Sequence, residues 1–290
     1  MNEARREVVK RIALWVAAFV LMAGAAVWQR LTGPTHPRRV HATLGGQDVR
    51  FRLLRSSTSG EPFLVSVAAP EGVSGVVRWR RYPTSQPFEE SPLRREGGSL
   101  VALLPTQPPA GKLEYAVVLD DGGRATTVPE DGPVVMRFKG DVPAGVLVPH
   151  VVSMFFGMMI GLRAALAALF GRPEARRYAW VTVVLIGIGG LVLGPIVQKN
   201  AFGAYWTGWP FGEDLTDNKT LFMWLAWVAA LAVLSRRRDP RDRVARAVVA
   251  VAAAAMITVY VIPHSLRGSQ LDYSRVEKGA AAKDAVTTGR

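Results

Sequence analysis

The chain has 290 residues, 49% of them apolar and 20% charged, with a formal charge of +13 and no cysteine. The missing cysteine excludes disulfides, thiolate zinc sites, iron–sulfur clusters and cysteine nucleophiles. An ordinary soluble protein is about as apolar, so the placement of the charges says more than their number.

Ile12 to Gln29 carries no charge and is bracketed by Arg11 and Arg30. That is close to the ~20 residues needed to cross a hydrocarbon core, and residues 1–31 read as an N-terminal transmembrane anchor. Ala23-Gly24-Ala25 behind a basic start also fits a cleavable secretion signal, but the apolar run continues to Trp28 as a spanning anchor would. Either way the segment that follows is exported.

Residues 32–141 change texture. Strand-like runs occur at Val49–Leu53, Phe63–Val67, Val76–Tyr82, Leu100–Leu104, Leu113–Leu119 and Val134–Phe138, with a weaker one at Ala125–Val128. Turn material separates them, and Asp120-Asp121-Gly122-Gly123 is a hairpin signal. About seven short strands in such a length predict an all-β sandwich, immunoglobulin- or fibronectin-like. His36 and His41 fall in a stretch that reads as linker. From Arg38 to Asp141 there are 14 Lys and Arg against 12 Asp and Glu. That balance argues against nucleic acid as a partner, since such a binder concentrates positive charge.

Residues 142–266 predict a four-helix transmembrane bundle from windows at Val142–Leu162, Tyr178–Gln198, Thr220–Ser235 and Ala247–Leu266. The fold class expected is therefore a membrane all-α bundle of five transmembrane helices with an inserted extracytoplasmic β-sandwich. Orientation follows from Lys and Arg in short loops. With the N-terminus inside, cytoplasmic pieces hold Arg5, Arg6, Lys10 and Arg11, then Arg172, Arg176 and Arg177, and then six arginines between 236 and 246. The outer aromatic loop 199–219 holds two lysines. Thirteen against two places residues 32–141 and the C-terminus outside, as in the cytoplasmic (inner) membrane of a bacterium. Gly157 and Gly161, and Gly190 and Gly194, are small-xxx-small packing pairs. Arg163 is expected to snorkel to the inner headgroups, and Lys219 and Arg236 to snorkel from the ends of the fourth window.

Two groups of residues could carry a site. His150 shares a helix face with Gly157 and Gly161 to within about 20°, and His264 closes the fifth window on the same outer side. Together they are candidate ligands for haem b. The outer loop offers Trp206, Trp209 and Phe211 as a lid and Asp214 and Asp217 as polar groups beneath it, although interfacial aromatics and helix capping account for the same residues. No Walker loop, dinucleotide fingerprint, HExxH or GxSxG pattern occurs. The expectation is a non-enzymatic subunit or accessory of a larger membrane assembly. Its partners would be the lipid bilayer and other membrane or extracytoplasmic proteins, with no cofactor. The alternatives are a redox subunit binding haem b or quinol through His150 and His264, and an enzyme acting on a lipid-linked substrate. Residues 267–290 are polar and low in complexity, and predict a flexible outer tail.

Overall fold

Helix α1 spans Glu3–Thr32 and contains the first apolar window. The β-rich stretch follows, with β1 Arg38–Leu44, β2 Gln47–Leu53, β3 Ser56–Thr58, β4 Phe63–Ala68, β5 Ser74–Arg81, β6 Glu89–Pro92, β7 Arg94–Glu96, β8 Ser99–Leu104, β9 Lys112–Asp121, β10 Arg124–Val128 and β11 Val134–Lys139. Then come α2 Ala144–Leu169, α3 Ala175–Ile186, a π-helical segment Gly187–Leu193, α4 Gly194–Phe202, α5 Leu215–Arg236 and α6 Arg243–Val261. Strand β12 (Ser269–Leu271), helix α7 (Tyr273–Glu277) and strand β13 (Val286–Thr288) complete the order. The computed structural model describes residues 2–263 and 268–288. The contacts divide the chain into a helical unit and a β-rich unit.

The helical unit takes Met1–Gly33, Val142–Lys199 and Tyr205–Gly268. It holds five helices long and apolar enough to cross a membrane, with α3, the π segment and α4 forming one continuous span Ala175–Phe202. Its core is built from Met158, Leu162, Ile186, Trp227, Val249 and Met256. Large apolar side chains also face outward, Phe222 at 61% exposure and Val251 at 67% among them, as helices do when lipid covers them. The fifth window stops short of expectation. Helix α6 ends at Val261 because Ile262, which precedes Pro263, is extended at ψ 117°, the region that a following proline imposes.

The β-rich unit takes Pro34–Asp141, Asn200–Ala204 and the segment from Ser269 onward. One sheet runs in the order β3-β11-β9-β5-β6, with β10 also on β9, and another runs β4-β8-β7. Their inward residues alternate along each strand, Phe63, Val65 and Val67 on β4 and Leu113, Tyr115 and Val117 on β9, and all belong to one hydrophobic core. Every expected strand run coincides with a strand. The β9–β10 hairpin turns on Gly122 and Gly123 with φ of +62° and +95°, the left-handed pair that a two-residue type I′ turn requires. The stretch read as linker is partly strand. His41 lies exposed on β1 opposite Arg50.

The tail from 267 is likewise folded rather than flexible over 269–288. Leu271, Tyr273 and Ala285 form a small core of their own. Tyr273 Oη accepts from Lys112 N at 2.9 Å and donates to Lys112 O at 2.8 Å, while Lys112 Nζ donates to Gln270 Oε1 at 2.9 Å. Segment 200–204 joins the same unit where Gly140 N donates to Ala201 O at 2.9 Å.

Candidate functional site

The loop 199–219 is a closed polar network with an aromatic exterior. Asp214 caps α5, accepting from Thr216 N at 2.8 Å, as an N-cap carboxylate does where the first helical amides lack partners. One turn inside the helix, Asp217 is buried and its Oδ2 accepts from Thr207 N at 2.7 Å and Gln198 Nε2 at 3.2 Å. Gln198 Nε2 also donates to Thr207 Oγ1 at 2.7 Å, and Thr207 Oγ1 lies 3.1 Å from Asp214 Oδ2. The loop can approach this closely because residue 208 is glycine. A Cβ there would sit 2.6 Å from Asp217 Cβ. Both carboxylates named from sequence are therefore brought together, and both bind the loop's own donors.

The aromatic residues do the reverse. Trp209 is 65% exposed and Phe211 82%. Trp206 is half-buried, its Nε1 donating to Trp209 O at 3.0 Å, and Trp209 N donates to Asn218 Oδ1 at 2.6 Å. The tryptophan rings flank a tight turn stabilised by backbone bonds from Phe211 and Gly212 to Gly208 O, both at 2.9 Å.

His150 is half-buried in α2, six residues past the helix start. Its Nδ1 donates to Gly189 O at 2.8 Å. Gly189 lies in the π segment, whose wider turn displaces carbonyls from the α pattern, and the same oxygen accepts from Gly194 N. The bond leaves Nε2 as the acceptor nitrogen of the ring. His264 lies outside the described residues. Among the described residues no group of three His, Asp or Glu side chains could hold a metal ion.

Two basic residues depart from expectation. Lys219 is buried instead of snorkelling, and its Nζ donates to Ile262 O at 2.6 Å. Gln29 Nε2 donates to Tyr260 O at 2.8 Å. These side chains satisfy carbonyls that the end of α6 leaves without helical partners, and so tie α1 and α5 to α6. Arg163 is fully buried as well, its guanidinium 4.9 Å from the Tyr178 ring centroid and 5.6 Å from that of Trp15. It stays inside because α1 and α3 each supply an aromatic face to the cation. Sequence reading missed both contacts. The signal for Lys219 was its position one turn into an apolar helix, where a cation needs a nearby acceptor. A scan against protein-family models finds no family that matches this chain, and a search of the curated proteins finds no similar sequence.

Proposed function

We propose that the chain is a polytopic integral membrane protein of a bacterial cytoplasmic membrane, acting as a non-enzymatic subunit or accessory of a larger membrane assembly. The observation that carries this reading is how the outer loop spends its side chains. Asp214 and Asp217 accept from the loop's own backbone and Thr207, while Tyr205, Trp209 and Phe211 stand exposed. Acid–base chemistry needs carboxylates aimed at a substrate, whereas exposed aromatic anchors suit binding. The β-rich unit is read as the extracytoplasmic sandwich, immunoglobulin- or fibronectin-like, because two sheets feed a single core.

That residues 34–141, 200–204 and 269–288 share one side of the membrane has support besides the arginine bias. These stretches pack as one unit, and an even number of candidate spans separates the first of these from the last. An even number of crossings returns the chain to its starting side.

A second reading is a redox subunit holding haem b through His150 and His264. It is favoured by one contact, the Nδ1 bond to Gly189 O, which orients the ring as carbonyl partners orient metal-ligating histidines. One experiment separates the two. The full chain is purified from haem-replete cells in mild detergent, and its mass and absorbance are read together. An assembly larger than the 31.5 kDa chain, without a Soret band and reduced to the lone chain by Trp209→Ser with Phe211→Ser, is the expected result. A Soret band lost on His150→Ala would establish the second reading, and a lone colourless chain would overturn both.

A further inference from the structure

The ends of four helices meet at a cavity of about 180 Å³ within the helical unit, far above the ~10–15 Å³ that admits one water. Arg172 from the loop joining α2 to α3 and Arg176 from α3 line it, and α6 and the loop joining it to α5 line it with Arg237, Arg238 and Arg246. Asp239 is the single acidic residue in the lining, and its carboxylate accepts from Arg241 N at 2.9 Å. Alanine and leucine side chains from the same helices supply an apolar floor.

Three of the guanidiniums have partners of their own: Arg172 pairs with Glu7 at 2.9 Å, Arg237 with Asp242 at 3.0 Å, and Arg246 donates to Leu169 O at 2.7 Å. These bonds fix the wall. Arg176 and Arg238 make no hydrogen bond or ion pair among the described residues and are exposed at its rim. Helix α3 also begins here, at Ala175, and its N-cap Glu174 makes no side-chain cap bond. The amides at a helix start favour an anion.

We propose that this cavity binds a phosphate-bearing anion, with Arg176 and Arg238 as the arms that close on it. Planar guanidinium forks match phosphate oxygens two at a time. The apolar floor and the position at the arginine-rich helix ends suit a phospholipid headgroup, and the same chemistry would accept a free phosphate.

The test uses the full chain in nanodiscs of phosphatidylcholine with or without phosphatidylglycerol, and in detergent with inorganic phosphate. Thermal unfolding is the readout. Phosphatidylglycerol raises the Tm of the native chain, and Arg176→Gln with Arg238→Gln weakens the apparent affinity about tenfold or more. Arg236→Gln with Arg243→Gln removes the same charge outside the cavity and leaves the response intact. A shift with inorganic phosphate that the cavity variant abolishes identifies free phosphate as a ligand, and a shift with lipid alone identifies the headgroup. The proposal is overturned if the cavity variant responds like the native chain, or if the control pair loses as much.

Discussion

Asp217 is where the polar contacts of the loop 199–219 converge, and its carboxylate is the acceptor for Thr207 N and Gln198 Nε2. Removing it leaves buried donors without a partner, which costs about 1–3 kcal/mol for each such group. Asp217→Ala should lower unfolding stability in detergent by roughly 2–4 kcal/mol and open residues 203–213 to limited proteolysis. Asp217→Asn keeps an acceptor oxygen and should lose clearly less.

Lys112 makes a pH prediction of a different kind. Burial, and then the charge of Arg137, lowers its ammonium from 10.5 to about 8. The folded chain thus releases this proton before the unfolded chain does. Between about pH 8 and 10.5 the unfolded state binds more protons, and stability rises with pH. Below about 8 both states hold the proton and the contribution is flat. Tyr273, whose burial raises its hydroxyl to about 12, stays protonated throughout this window. Denaturant titrations of Lys112→Met should show a shallower rise than the native chain, and an unchanged slope would refute the assignment.

Among the elements, the span Ala175–Phe202 depends on glycine for its neighbours' approach. A Cβ at Gly190 would lie 2.6 Å from Thr220 Cγ2. Alanine ordinarily gains on glycine in a helix by about 1 kcal/mol, but Gly190→Ala should here lose about 1–3 kcal/mol through overpacking. Adding Thr220→Ser deletes the offending methyl and keeps the hydroxyl that donates to Thr216 O at 2.8 Å. The double variant should recover most of the loss, a coupling that a mutant cycle measures.

The same scale shows what was legible in advance. Apolar windows and period-two runs place the spans and the longer strands, since both patterns follow from which face is buried. Gly190 and Gly194 read as packing residues, but the π turn between Gly187 and Leu193 leaves no mark in an all-apolar run. Strand β1 has alternation in Val40, Ala42 and Leu44, and its partner β2 is announced by Gly45-Gly46, whose φ values are +56° and +74°. The flanking arginines and histidines drew attention from that hairpin. The fold of residues 269–288 rests on Tyr273 reaching Lys112, a contact between residues too distant in sequence for any local pattern to reveal.

For the whole molecule, the reading of sidedness can be tested directly because the chain has no cysteine of its own. Ser85, Ser235 and Ser274 are exposed. An impermeant thiol reagent applied to spheroplasts should label Ser85→Cys and Ser274→Cys, and should reach Ser235→Cys only after the membrane is permeabilised. The reverse pattern would invert the orientation. The expectation rests on the charge bias, since the loops differ in Lys and Arg by thirteen to two. The candidate loop was legible only as composition. Which of its carboxylates turn inward depends on Thr207 and Gln198, whose roles emerge once Gly208 lets the two sides meet.

The β-rich unit is assembled from three stretches that a ribosome delivers at widely separated times. Residues 34–141 emerge early, 200–204 after two further helices, and 269–288 last. Until the last stretch arrives, the backbone amide of Lys112 waits for Tyr273, while its carbonyl already accepts from Tyr82 N at 3.0 Å. Completion of the β-rich unit therefore reports that every intervening span has been inserted. A chain with one helix left uninserted would keep its final twenty residues from the rest of the unit, leaving the Lys112 amide without its partner.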